Sequence, residues 1–422
     1  MLSNDRLASK STLMNTLFES LDFGRDQLAM PGPSVVPERV LRAMHRPAPN
    51  IYAGELIDLT EKLRADLNDL AGSTGGLAFY IGNGHAVWEA SLTNTFSKGD
   101  KALFLVNGRF GLAWATIGKE LGLDVQLLDF GVTESVNADR VEAVLSDDKK
   151  HEIKAVLTVQ TDTATSSSNE LAAIRRAIDN AAHPALFMVD SIASFACEPF
   201  NMEALNVDLM ITATQKGLMT PPGVGLMFTN NDYWKVQQKA DLVSPYWNAH
   251  PRVHPATFPD NFFGTPPTHH LFGLREAVDM LLEEGIENCW QRHALFARSV
   301  WAAVNAWRAG GAFSCQIENE AMRSMAVTAI KTPEGVAKEL QRVCSEQLGL
   351  VLGVGLNPNP TPGAMLLDDT FRIGHMGHLS APMLLGTLGT IEAALTSLAV
   401  PHGPGAVDAA AGVIGGALKR SS

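Results

Sequence analysis

The sequence predicts an α/β protein: a large domain built on a mostly parallel sheet wrapped by helices, followed by a smaller α+β domain. Three observations carry this. From about residue 77 short, almost continuously apolar runs alternate with longer helical stretches. The runs show no polar alternation, so both of their faces are covered, as in a parallel sheet packed between helices. Beyond about residue 285 the pattern changes to long amphipathic helices and mixed segments.

In chain order, "LAFYIG" (77–82) reads as a strand, "HAVWEASLTNTF" as a helix and "KALFLVNG" as a strand. "RFGLAWATIGKELG" is a helix that stops on a glycine, a residue that takes the left-handed conformation of a helix end without penalty. "EIKAVLTVQ" (152–160), "PALFMVD" (184–190), "VDLMITAT" (207–214) and "GVGLMFTN" (223–230) are further strands, with "LAAIRRAIDNAA" (171–182) as a crossover helix. A Pro/aromatic loop spans about 245–268. "LFGLREAVDMLLEEG" and "IENCWQRHALFARSVWAAVNAWRAGG" are then amphipathic helices, and "MAVTAIKT" and "DTFRIGHMG" mixed segments. The expected division is an N-terminal arm (1–28), a large domain (29–284), a small domain (285–400) and a Gly/Ala-rich flexible tail (401–422).

With 422 residues, 46% of them apolar, the chain has ample material for a buried core. Its 33 Lys plus Arg against 45 Asp plus Glu leave a formal charge of −12, which argues against a nucleic-acid binder. No apolar run reaches the roughly 18 residues of a membrane span, and the N-terminus lacks the apolar stretch of a secretory signal. Cys197, Cys289, Cys315 and Cys344 show no metal-ligand spacing and read as buried free thiols of a reducing cytoplasm.

The chemistry concentrates at strand ends, where open α/β sheets bind ligands. "GNGHAVWEA" (82–90) is a strand-to-helix turn whose Gly84, His85 and Ala86 N–H groups suit a phosphate. Asp190 ends one apolar strand, and Lys216, in "ITATQKGLMTPPGVGLMF" (211–228), follows another. Singly, each has a plain structural reading: a common glycine turn, a helix cap, a snorkelling lysine. Together they are what pyridoxal 5′-phosphate requires, namely an amine for a Schiff base, a carboxylate for the pyridine nitrogen and a cradle for the phosphate.

These segments resemble the class V aminotransferases of pyridoxal-phosphate fold type I, in particular the alanine–glyoxylate and serine–glyoxylate aminotransferases. The likeness rests on "TQKGLMTPPGVG", "VDSIASF" and "GNGHAVWEA". It continues through "PGPSVVPERVLRAM" (31–44), "VNGRFG" (106–111), "HEIKAVLTVQTDTATS" (151–166), "TPPTHHLFGLREAV" (265–278) and "FRIGHMG" (371–377). It implies a seven-stranded sheet and a homodimer with active sites at the subunit interface. It also implies transfer of an amino group from a small amino acid such as serine or alanine to a 2-oxo acid, glyoxylate foremost.

Residue by residue, the resemblance implies that Lys216 carries the cofactor and moves the proton, and that Asp190 pairs with the pyridinium. Gly84, His85 and Gln215 would hold the phosphate, Phe110 would stack on the ring, Thr163 would meet the ring hydroxyl and Ile192 would lie beneath it. Arg372 would clamp the substrate carboxylate, Gly32 would adjoin the substrate, and Thr265 would reach the neighbouring subunit's phosphate. The chain departs from the family in "VQTDTATSS" (159–167), in Phe262 at a tyrosine position, and in "RPAPNIYAGEL" (46–56). His375 and His378 acquire no role and read as solvated or core residues.

Two rivals follow from other chemistry. The first keeps the fold and changes the reaction to that of a cysteine desulfurase, a kynureninase-like hydrolase or another lyase; a desulfurase needs a reactive cysteine on a mobile loop, and Cys344 falls inside the helical "GVAKELQRVCSEQLG". A non-catalytic protein of the same fold would be favoured by loss of Lys216, Asp190 or Arg372, all of which are present.

Overall fold

The computed structural model describes residues 18–361 and 364–418. The first 17 residues, most of the expected arm, lie outside the described part. A seven-stranded sheet forms the centre, in the order Gly76–Gly82, Gly223–Thr229, Leu209–Ala213, Leu186–Asp190, Ile153–Val159, Lys101–Val106, Asp124–Asp129. The strand Gly223–Thr229 runs antiparallel to both neighbours, and the other pairings are parallel.

Successive strand residues enter opposite cores, because side chains alternate across a sheet. Phe79, Leu105, Val189 and Met210 pack on one face. Tyr80, Phe104, Met188 and Ile211 pack on the other. This is why the runs read as continuously apolar. The edge strand Asp124–Asp129 is the exception: it is largely exposed, with Leu127 open to solvent, and its sequence carries no such run.

The small domain has a five-stranded sheet, in the order Gln27–Ala29, Leu350–Thr361, Ala364–Gly374, Val327–Lys331, Ser314–Cys315. Its first strand comes from the end of the expected arm, with Gln27 paired to Leu350. Beyond residue 400 the structure differs from the expected flexible tail. Ala406–Ala417 is a helix packed on the helices Ile286–Arg308 and Ala381–Ser397, with Ala406 and Ala410 fully buried. Some of the small residues that read as a loose tail permit this contact: Ala406 and Ala410 face the helices, and a Cβ on Gly403 would strike the Ala306 carbonyl.

One buried carboxylate ties the two domains together. Glu198 accepts hydrogen bonds from Thr161 Oγ1 (2.7 Å) and Ser168 Oγ (2.7 Å) in the large domain, and from Ser324 Oγ (2.8 Å) and Met325 N (3.1 Å) in the small one. Glu198→Ala strands these donors in a dry site. The expected loss is about 3 kcal/mol of folding stability, read as a lower urea midpoint. A midpoint equal to wild type would show that the latch carries no net stability.

Candidate active site

The carboxyl ends of the parallel strands open into a cavity of about 200 Å³. Gly84, His85, Phe110, Thr163, Asp190, Ile192, Gln215 and Lys216 all line it. Eight of the residues named from sequence therefore meet in one place.

The helix Gly84–Thr95 starts at the end of its strand because Asn83 caps it, its side chain accepting from His85 N (3.1 Å) and Ala86 N (3.4 Å). Two of the N–H groups expected to face a phosphate are thus engaged by Asn83 here, and an incoming anion would share or displace that cap. Gly84 packs against Ile192: a Cβ there would lie 2.7 Å from Ile192 Cδ1 and push that side chain aside.

Phe110 is presented by the helix Arg109–Glu120, which borrows its N-terminal cap from a distant residue. Asp162 accepts from Phe110 N (2.7 Å) and Gly111 N (3.3 Å), and from Ala164 N (3.0 Å) in its own loop. Gly108 lets the carboxylate in, because a Cβ there would collide with it. The Asp162–Thr163 pair legible in the sequence is therefore a positioning device as well: the acid sets the Phe110 helix and the next residue faces the cavity.

Asp190 is buried. Its Oδ1 accepts from Ile192 N at 2.7 Å and its Oδ2 from the Trp88 indole N–H at 2.6 Å. Burial pushes its carboxyl up to about 7, and the nearby Asp162 charge adds to the rise. Burial moves the Lys216 amine the other way, down to about 8, with the Arg372 charge acting in the same sense. Lys216 Nζ donates to the Pro31 carbonyl, and Gly32, at φ +104°, leaves no room for a Cβ beside the lysine chain. Gly32 so adjoins Lys216 itself.

Arg372 lies just outside the cavity lining, buried, on the strand Ala364–Gly374. Its Nε donates to Val354 O (2.7 Å) and its Nη1 to Thr163 O (2.8 Å). Thr265 is exposed and does not line this cavity. Phe262 faces the core of its own chain, packed on Phe79 and Phe258. His375 is a core residue, its Nδ1 at 2.9 Å from Met325 O and its Nε2 at 2.9 Å from Thr328 Oγ1, while His378 is exposed. All four cysteines are free and buried.

Sequence reasoning missed Trp88 and Asn83. Trp88 stands four residues beyond Gly84, one helical turn, so its side chain returns to the face that meets the cavity. That spacing was the available signal.

Pyridoxal 5′-phosphate fits these residues. Asp190 is a buried acid with no cationic partner within ion-pair distance among the described residues, which suits a pyridinium. The Gln215 side-chain oxygen is buried without a partner, and a turn of that amide would aim its N–H groups at a phosphate. Among the described residues no carboxylate lies within ion-pair distance of the Lys216 amine, whose partner is the Pro31 carbonyl.

Comparisons with known proteins agree with this geometry. The chain is 36% identical to the serine–glyoxylate aminotransferase of Methylorubrum extorquens, covering 92% of this chain and 95% of that one. It is 32% identical to the L-aspartate–glyoxylate aminotransferase of Paracoccus denitrificans, covering 89% and 93%. Pyridoxamine–pyruvate aminotransferase of Mesorhizobium loti superimposes with a TM-score of 0.85 at 24% identity, over 94% of this chain and 98% of that one, and so shares the fold. The family model described as aminotransferase class-V matches residues 30–374. Match and cavity together establish that this chain belongs to the class-V aminotransferases, whose fold type I it adopts.

Proposed function

We propose that this protein moves the amino group of a small amino acid, serine or alanine foremost, to glyoxylate in a ping-pong cycle. In this reading it works as a homodimer in the cytoplasm, with Thr265 serving the partner's site. When bound, pyridoxal 5′-phosphate supplies an electron sink that weakens the substrate Cα–H bond and holds the amino group between half-reactions.

The chain's own residues do the rest. Lys216 would anchor the cofactor, and its Nζ would take the Cα proton; an amine held near 8 is a competent base at mildly alkaline pH. Asp190 would pair with the pyridine nitrogen and keep it protonated. Gln215, Gly84 and His85 would hold the phosphate, Phe110 and Ile192 would pack on the ring, and Thr163 would meet the ring hydroxyl. Arg372 fixes the substrate carboxylate through the planar fork that guanidinium offers.

The observation that carries the reading is the meeting of Asp190 and Lys216 in one cavity, two buried groups whose missing counter-charges one cofactor would supply. A desulfurase reading finds less support: Cys344 is buried in the helix Val336–Leu348, its thiol pushed up to about 12.

The test is amino transfer to glyoxylate from a panel of serine, alanine and aspartate, followed as glycine formation. Parallel double-reciprocal lines are expected with serine or alanine. No glycine from any donor, or release of sulfide or ammonia instead, would overturn the proposal.

A further inference from the structure

We propose that Trp88 is a positioning residue for the cofactor, acting through Asp190: its indole N–H fixes and charges the carboxylate that receives the pyridine nitrogen. The inference rests on the functional reading above and extends it to a residue that the resemblance does not assign.

The geometry is specific. Asp190 has one oxygen held by the backbone N–H of Ile192 and the other by Trp88 Nε1 at 2.6 Å, a short distance for an N–H on a carboxylate. With both oxygens tied, the carboxylate cannot rotate about its last bond, and a lone pair on each remains for the cavity. Asp190 and Trp88 both line that cavity. The indole is itself clamped, with the His85 ring at 4.4 Å and Phe110 at 6.3 Å between ring centres. One aromatic wall thus joins the phosphate end, the ring face and the nitrogen end of the expected cofactor position.

Such a contact is not general to the tryptophans of this fold, although Trp247 also donates to a carboxylate, that of Glu89 at 2.9 Å. The indole nitrogens of Trp114, Trp290 and Trp307 are buried without any partner, so this fold does not reserve a carboxylate for each buried tryptophan. A carboxylate buried with no cation beside it favours its neutral acid form. A donor aimed at it shifts the balance towards the anion that a protonated pyridine needs.

The test uses the full chain stripped of cofactor and reloaded with pyridoxal 5′-phosphate, with affinity measured by absorbance and by tryptophan fluorescence. Trp88→Phe keeps a ring and removes the N–H; it is expected to weaken cofactor binding about tenfold. Asp190→Asn should weaken it more, and the double variant should match Asp190→Asn alone, since the indole acts through the acid. Trp88→Gln supplies an N–H at similar reach without the ring, so it should bind cofactor more tightly than Trp88→Phe. Effects of Trp88→Phe and Asp190→Asn that simply add, or a Phe variant equal to wild type or tighter than the Gln variant, would overturn the role of Trp88. Cofactor binding unchanged in Asp190→Asn would instead overturn the reading of Asp190 on which it rests.

Discussion

Lys216→Ala is expected to reduce amino transfer by at least about 10³-fold and to abolish covalent retention of the cofactor through borohydride treatment. The substitution removes both the anchor and the base, and among the described residues no other amine lines the cavity. The Cβ of the alanine would end well short of the Pro31 carbonyl that Lys216 now meets. Steady turnover in this variant would reject the assignment. The same amine sets a pH dependence in the wild-type protein. Only its neutral form attacks an aldehyde, and burial with the Arg372 charge holds it near 8. The rate of cofactor attachment to the stripped protein should therefore climb as pH rises through about 8 and level off above it. A midpoint at the ordinary lysine value would mean that the amine is not confined as the structure shows.

Much of this was legible because the informative residues sit where strand periodicity ends. Asp190 and Lys216 each close an apolar run, and Gly84 opens a helix directly after one, so their neighbours in sequence announce their position in the sheet. The rest was hidden for physical reasons. The strand Asp124–Asp129 is at an edge and never needed two apolar faces. The helix Ala406–Ala417 is built from residues that look like a linker, because close helix contact and flexible tails both select small side chains. Trp88 makes its decisive contact across 102 positions of sequence, with a residue three strands along the sheet order. A buried tryptophan on an apolar helix gives no sign in the sequence that its nitrogen is spoken for. Asp162 shows the opposite case: its place beside Thr163 was readable, while its capping of the Phe110 helix depended on the fold.

Arg372→Ala is expected to lower kcat/KM for both amino and oxo acids by about 10²- to 10³-fold, chiefly through KM, while the cofactor still loads. The guanidinium is buried and its Nε and Nη1 are committed to the carbonyls of Val354 and Thr163, neither of which carries charge. Among the described residues no carboxylate pairs with it, although the Asp162 charge stands near enough to favour the cation and the Arg109 charge to oppose it. Burial holds it down to about 10, still protonated at neutral pH. A buried cation anchored by neutral carbonyls, with no carboxylate paired to it among the described residues, suits a substrate anion, which is the role proposed for it. Arg372→Lys should recover only part of the loss, because an ammonium keeps the charge and cannot hold two carbonyls and a carboxylate in one plane. The charge also has a distant readout. Arg372 helps to hold the Lys216 amine down, so its removal should raise the pKa of that amine and move the midpoint of cofactor attachment upward from about 8. A rise in KM without that upward move would place the guanidinium on the substrate but electrically remote from the lysine; a move without a rise in KM would make Arg372 a tuner of the base and leave the carboxylate clamp to another residue.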